Sequence, residues 1–158
     1  MLLSELKGYS GFTALGDNLG KVHCSVMNTK TWTVENIILK KALRKPQEYK
    51  FAAIKNLEEA KKRIVLEGKG SAIGESSLVH MPCCELMKKK VLSSDGKDAG
   101  KIYDLVIATQ FSPWKIDKIL IYIKPLERRL RLDASEIKSI TENITLTKTY
   151  NELRGIKE

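Results

Sequence analysis

The chain has 158 residues, with 28 Lys or Arg against 19 Asp or Glu and a formal net charge of +9. Its length suits one ordinary domain or two small ones. No apolar run approaches the roughly 20 residues that span a bilayer as a helix, and three cysteines without framework spacing argue against a disulfide-stapled scaffold and for a reducing cytoplasm.

The opening residues, "MLLSELKGYSG", carry Glu5 and no basic region ahead of a long apolar stretch, so they do not read as a secretion signal. A Gly-punctuated turn follows at Gly16 and Gly20. The next strand alternates, with Val22, Cys24 and Val26 on one face and His23 and Ser25 on the other. Asn28 begins a turn, and "WTVENIILKK" from Trp32 is rich in β-branched residues that suit a pleated surface. A basic connection, "KKALRKPQEYK", comes next, and then a last strand and "IKNL" (54–57). "LEEAKKR" (57–63) is long enough for a helical turn or two, and "IVL" (64–66) closes the unit. Residues 69–81 are rich in Gly and Ser and read as a linker.

The second half repeats the first. Residues 4–22 align without gaps on 84–102 at a constant offset of 80, placing Glu5 on Glu85, Leu6 on Leu86, Gly16 on Gly96, Gly20 on Gly100 and Lys21 on Lys101. After two extra residues the match resumes at an offset of 82, with Trp32 on Trp114, and it continues through "IKSI" (137–140) and "ITL" (144–146). The chain is therefore an internal duplication. "SSDGKDAGKIYDLVI" (93–107) belongs to the repeated unit. Its glycines are too close for a Walker loop, and its acidic residues lack the spacing of a calcium loop. In the strand after it, Asp104 disturbs one face, which assigns the interior to Leu105 and Ile107. Short strands with regular turns and little helix predict an all-β chain of two tandem small antiparallel barrels. The predicted division is 1–68, a linker at 69–81, 82–148, and a tail at 149–158.

Candidate chemistry is sparse. His80, Cys83 and Cys84 in "HMPCC" lack the second ligand pair of a structural zinc site, and neither a metal nor a cofactor is expected. Trp32 and Trp114 sit on apolar strands and are assigned structural roles, as are Gly16, Gly20, Gly96 and Gly100. The basic connections stand out: Lys40, Lys41, Arg44 and Lys45 have counterparts in Lys124, Arg128, Arg129 and Arg131. The net positive charge is shared by both halves, with 12 basic and 7 acidic residues in 1–68 and 16 and 12 in the rest. It favours RNA, an anionic lipid surface or an acidic protein as the partner. Nearby aromatics are few, Tyr49 and Tyr122, which gives base stacking little support.

These motifs resemble the PRC-barrel family, named for the cytoplasmic barrel of the photosynthetic reaction-centre H subunit. Copy two carries the likeness in "SSDGKDAGKIYDLVI", "WKIDKILIYI" and "LDASEIKSITENITL"; copy one carries it in "LLSELKG", "GDNLGKV" and "TWTVENIIL". Copy one departs from the pattern at Leu15, where Asp precedes the first Gly, and in its longer basic connection. The resemblance implies a non-enzymatic adaptor that docks on a protein or ribonucleoprotein. Relatives include the C-terminal barrel of a ribosome-maturation factor and archaeal partners of the SepF-type FtsZ anchor. The expectation is thus a cytoplasmic adaptor whose partner is a SepF-type division protein or another PRC-barrel protein, with homo- or hetero-dimers in view. RNA binding or ribosome assembly through the basic hairpins is the alternative.

Overall fold

A computed structural model describes residues 1–123 and 128–156. Strands take 51% of the chain and the helices are three short ones, so the protein is all-β. Copy one contains α1 (Leu3–Leu6), β1 (Ser10–Thr13), β2 (Asn18–Asn28), β3 (Thr33–Lys40), β4 (Gln47–Lys50), a 3-10 turn (Phe51–Ala53), β5 (Ile54–Glu58) and β6 (Arg63–Leu66). Two short strands follow, β7 (Ser71–Ala72) and β8 (His80–Pro82). Copy two contains α2 (Cys83–Lys88), β9 (Val91–Leu92), β10 (Asp98–Ala108), β11 (Lys115–Ile123), β12 (Arg128–Asp133), a 3-10 turn (Ala134–Glu136), β13 (Ile137–Ile140) and β14 (Ile144–Leu146), and the chain then forms α3 (Tyr150–Arg154).

The duplication is visible pairing by pairing. β1 is antiparallel to β2 and parallel to β6; β9 is antiparallel to β10 and parallel to β14. The β2–β3 ladder slips at Val22/Cys24 and Val26/Met27, and the β10–β11 ladder slips at the equivalent Ile102/Asp104 and Val106/Ile107. Gly20 and Gly100 have φ of 106° and 91°, where L side chains are rare. The reason is a close approach. A Cβ on Gly20 would stand 2.6 Å from the Lys40 carbonyl carbon, and one on Gly100 would strike the Tyr122 carbonyl oxygen. The Gly turn lets the start of one strand cross tightly over the end of the next.

Among the described residues, all fourteen strands join one sheet. Its main path runs β5-β6-β1-β2-β3-β11-β10-β9-β14-β13, which reads the same from either end in repeat terms. The two copies meet at β3 and β11, where the Val34 N–H donates to the Trp114 carbonyl at 2.8 Å and the Ile116 N–H to the Trp32 carbonyl at 2.7 Å. Among the described residues β4 does not pair with β5, nor β12 with β13, so the sheet is not closed.

Each copy lends its entry segment to the other. Residues Met1 and Leu2 bridge to Val106 and Ile107 of copy two, and β8 pairs with Val26 to Asn28 of copy one. α1 lies against β10, and α2 lies against β2 as well as β10. This explains a departure from the expected alternation in β10. Leu105 and Ile107 are fully buried as expected, but Ile102 and Asp104 are buried too, because the ladder slips between them and Ser4 of α1 bonds the Asp104 carboxylate. The segment read as a linker adds strands to copy one: β7 pairs with β4 and β8 with β2. The helical turn expected in 57–63 is absent, because Leu57 and Glu58 are laddered to Ile64 and Arg63.

Trp114 is only 5% exposed and meets the Phe51 ring of copy one edge-on, with centroids 5.3 Å apart. Trp32 is half-buried with φ of 55°. One apolar cluster runs through both copies, from Leu3 and Leu6 to Leu146 and Leu153.

Candidate partner-docking site

The β3–β4 connection of copy one presents its charges to solvent. Lys40, Lys41, Arg44 and Lys45 are all exposed. The Lys41 Nζ donates to the Asn18 carbonyl at 3.1 Å, which ties this connection to the β1–β2 turn. Between the two turns lies a cleft of about 240 Å³, with Leu19, Leu39 and Tyr49 among its walls and Lys41, Arg44 and Lys45 around it. Among the described residues none of these three cations has a carboxylate ion-pair partner. Two leucines project from the same turns: Leu15 is 92% exposed and Leu43, at φ 59°, is fully exposed.

Copy two is built differently at the corresponding end. Asp95 stands where copy one has Leu15; it accepts the Ser93 hydroxyl at 2.5 Å and the Tyr150 N–H at 3.0 Å. These two donors hold its carboxyl below the usual carboxylate range. Lys97 lies over the Tyr150 ring at 5.7 Å. The tail read as residues 149–158 thus begins with a docked helix. Thr149 and Glu152 form its capping box, and Leu153 is fully buried. The Thr149 N–H, followed by its hydroxyl, keeps the Glu152 carboxyl low.

The second set of predicted cations therefore divides. Lys124 lies outside the described residues. Arg128 is half-buried and its guanidinium donates to the Arg154 and Ile156 carbonyls, so it holds the chain's own helix. Arg129 and Arg131 are exposed on β12, with Arg129 over the Tyr103 ring at 5.7 Å. Beside them is a groove of about 750 Å³ lined by Lys88, Lys90, Lys101, Ile102, Tyr103 and Tyr122. Gly100 also lines it, and of its residues Gly100, Lys101 and Tyr122 are singled out by the sequence. The lining comes from three segments, 88–90, 98–103 and Tyr122, that only the fold assembles.

The cysteines correct an expectation. Cys24 and Cys84 form a disulfide between the copies, with Cα atoms 6.2 Å apart, although their spacing matches no framework. The Cys84 N–H also donates to Cys24 Sγ at 2.9 Å. Cys83 is free and buried against the Ser25 hydroxyl at 3.2 Å, and burial pushes its thiol up to about 11. His80 turns to Glu35, its Nδ1 2.7 Å from the carboxylate, so the "HMPCC" side chains go to three different places.

No protein-family model matches the chain, and no curated protein matches it.

Proposed function

We propose that the chain is a non-enzymatic adaptor of PRC-barrel type, whose open basic end on copy one docks an acidic partner protein. In this reading each copy is one barrel-like unit, with its 3-10 turn bridging the gap the sheet leaves. One observation carries the proposal. The end of copy two is covered by the chain's own α3, whereas the equivalent end of copy one leaves Leu15 and Leu43 beside Lys41, Arg44 and Lys45. Apolar anchors ringed by charge suit a protein interface, where a few desolvated side chains supply affinity and the charges supply encounter rate. On the resemblance alone, and not on the cysteines, the place is the cytoplasm and a SepF-type division protein or a second PRC-barrel protein is the first partner to test.

A second reading has its own support. Tyr103, Tyr122 and four cations, Lys88, Lys90, Lys101 and Arg129, surround the copy-two groove, and single-stranded RNA binds such surfaces by stacking and phosphate contact.

Capture from native extract on the immobilised protein separates the two. The adaptor reading expects capture that survives nuclease, and that is lost when Lys41, Arg44 and Lys45 become Glu or when Leu15 and Leu43 become Ser, with circular dichroism unchanged. Capture abolished by nuclease, falling steeply with salt and indifferent to those variants, would transfer the function to the groove.

A further inference from the structure

We infer that the outer edge of β12 is a strand-addition site for an extended acidic segment of a partner protein. The inference rests on the adaptor reading but uses a different surface.

Copy one supplies the internal precedent. The outer edge of β4 is already closed by β7, which runs antiparallel with Gln47 opposite Ala72 and Glu48 opposite Ser71. The incoming segment is also read by a side chain: Glu48 Oε2 accepts the Gly74 N–H at 3.1 Å. In copy two the same edge has no such strand among the described residues. Ile38 pairs with Glu48 and its equivalent Leu120 with Arg131, so Arg131 takes the place of Glu48 and Leu130 that of Gln47. Among the described residues β12 pairs with β11 alone. The chain beyond β14 forms α3 instead, tied to the start of this strand by the Arg128 guanidinium.

An unpaired strand edge is a template for another strand, because its backbone donors and acceptors project sideways. Arg129 and Arg131 are two residues apart, so they share the exposed face, while Leu130 and Leu132 point into the core. A strand added antiparallel sets its side chains directly opposite on the same face. Its acidic residues must then stand two apart, one for each arginine. A second copy of this chain fits poorly in the central register, and the off-centre register that would set Arg131 against Asp133 pairs fewer residues. Antiparallel self-pairing about Leu130 would set each Arg129 against the other copy's Arg131, and like charges directly opposed are destabilising. The replacement of Glu48 by Arg131 therefore turns a site for the chain's own Gly-rich segment into one for a foreign acidic strand.

The test uses the full chain, isotopically labelled, and a blocked heptapeptide alternating Glu with Val. Two control peptides carry Lys for Glu, or N-methyl groups on the amides that would face β12. The Glu peptide is expected to protect the solvent-side amides of residues 129–133 from hydrogen exchange. N-methylation should weaken binding by at least about tenfold, since the ladder is lost. Arg129→Glu with Arg131→Glu should weaken it by about tenfold and transfer preference to the Lys peptide. The Lys41, Arg44 and Lys45 variant should bind the Glu peptide as the parent does, so this result and the capture result stand apart. No protection at millimolar peptide, or equal binding of the N-methylated form, overturns the inference. The two arginines would then serve only to keep the edge unpaired.

Discussion

Ser4 and Asp104 make in one direction the contact that Cys84 and Cys24 make in the other. The Ser4 N–H donates to Asp104 Oδ1 at 3.2 Å and its hydroxyl to Oδ2, while Cys84 is bonded to Cys24. Each pair is related to the other by the offset of 80. Each holds the entry helix of one copy against the long strand of its neighbour, by a hydrogen-bonded carboxylate in one place and by sulfur in the other. The pair Ser4→Cys with Asp104→Cys should therefore form a second disulfide between the copies. Mass spectrometry after alkylation under non-reducing conditions reads this directly, and unmodified thiols at both sites would refute the equivalence.

Asp104 is 6% exposed and also accepts the Leu105 N–H at 2.9 Å. Asp104→Ala takes the acceptor from the buried Leu105 N–H and from the two Ser4 donors and should cost about 1–3 kcal/mol in urea unfolding. A loss well under that range would mean that water reaches the site.

The repeated glycines predict a contrast. Gly96 has φ of 81° with open space around a built Cβ, so Gly96→Ala should cost about 1–2 kcal/mol, the price of the left-handed backbone alone. Gly100→Ala adds collision with the Tyr122 carbonyl and should cost more than about 4 kcal/mol or prevent folding. Equal effects of the two substitutions would show that β10 and β11 do not approach as closely as described.

Trp114 should matter more than Trp32. Trp114→Ala is expected to lose about 3–5 kcal/mol, and a double-mutant cycle with Phe51→Ala should show coupling of about 0.5–1.5 kcal/mol. Trp32→Ala, at a half-buried position, should cost less. Comparable losses at both would contradict the asymmetry between the two inter-copy contacts.

Cys83 gives a pH dependence. Its folded thiol titrates near 11, above its ordinary value, so between about pH 9 and 11 the unfolded chain has released a proton that the folded chain keeps. Stability through this group is present below pH 9 and declines as pH rises through that window, by about 2–3 kcal/mol in all. Cys83→Ala should flatten the decline. An unchanged slope would place the loss on other groups.

The sequence made the repeat legible because glycines with positive φ and paired tryptophans are hard to replace, and they mark register in both copies. Gly20 and Gly100, Leu6 and Leu86 stand at one constant offset that the sequence itself displays. The exchange of entry segments was not, since a ladder between Met1 and Ile107 leaves no local pattern. The Cys24–Cys84 bond was hidden for the same reason: its two sites match Asp104 and Ser4, which look unrelated in type. Residues 69–81 read as linker because β7 and β8 are two and three residues long, too short for periodicity. Of the basic residues, Lys41, Arg44 and Lys45 lie in solvent as their composition suggested. Arg128 does not, because nothing in its neighbours announces that α3 returns to it.

In a symmetric pair of identical subunits every substitution occurs twice, so a change that helps one side is imposed on the other. Joining the two copies in one chain removes that constraint. Reciprocal entry segments keep the halves committed to each other, while each position is free to drift alone. One end could then acquire a helical cover and an arginine edge, and the other could keep bare leucines and a glutamate. Structural divergence of the two ends follows from the covalent link, without any change in the shared scaffold.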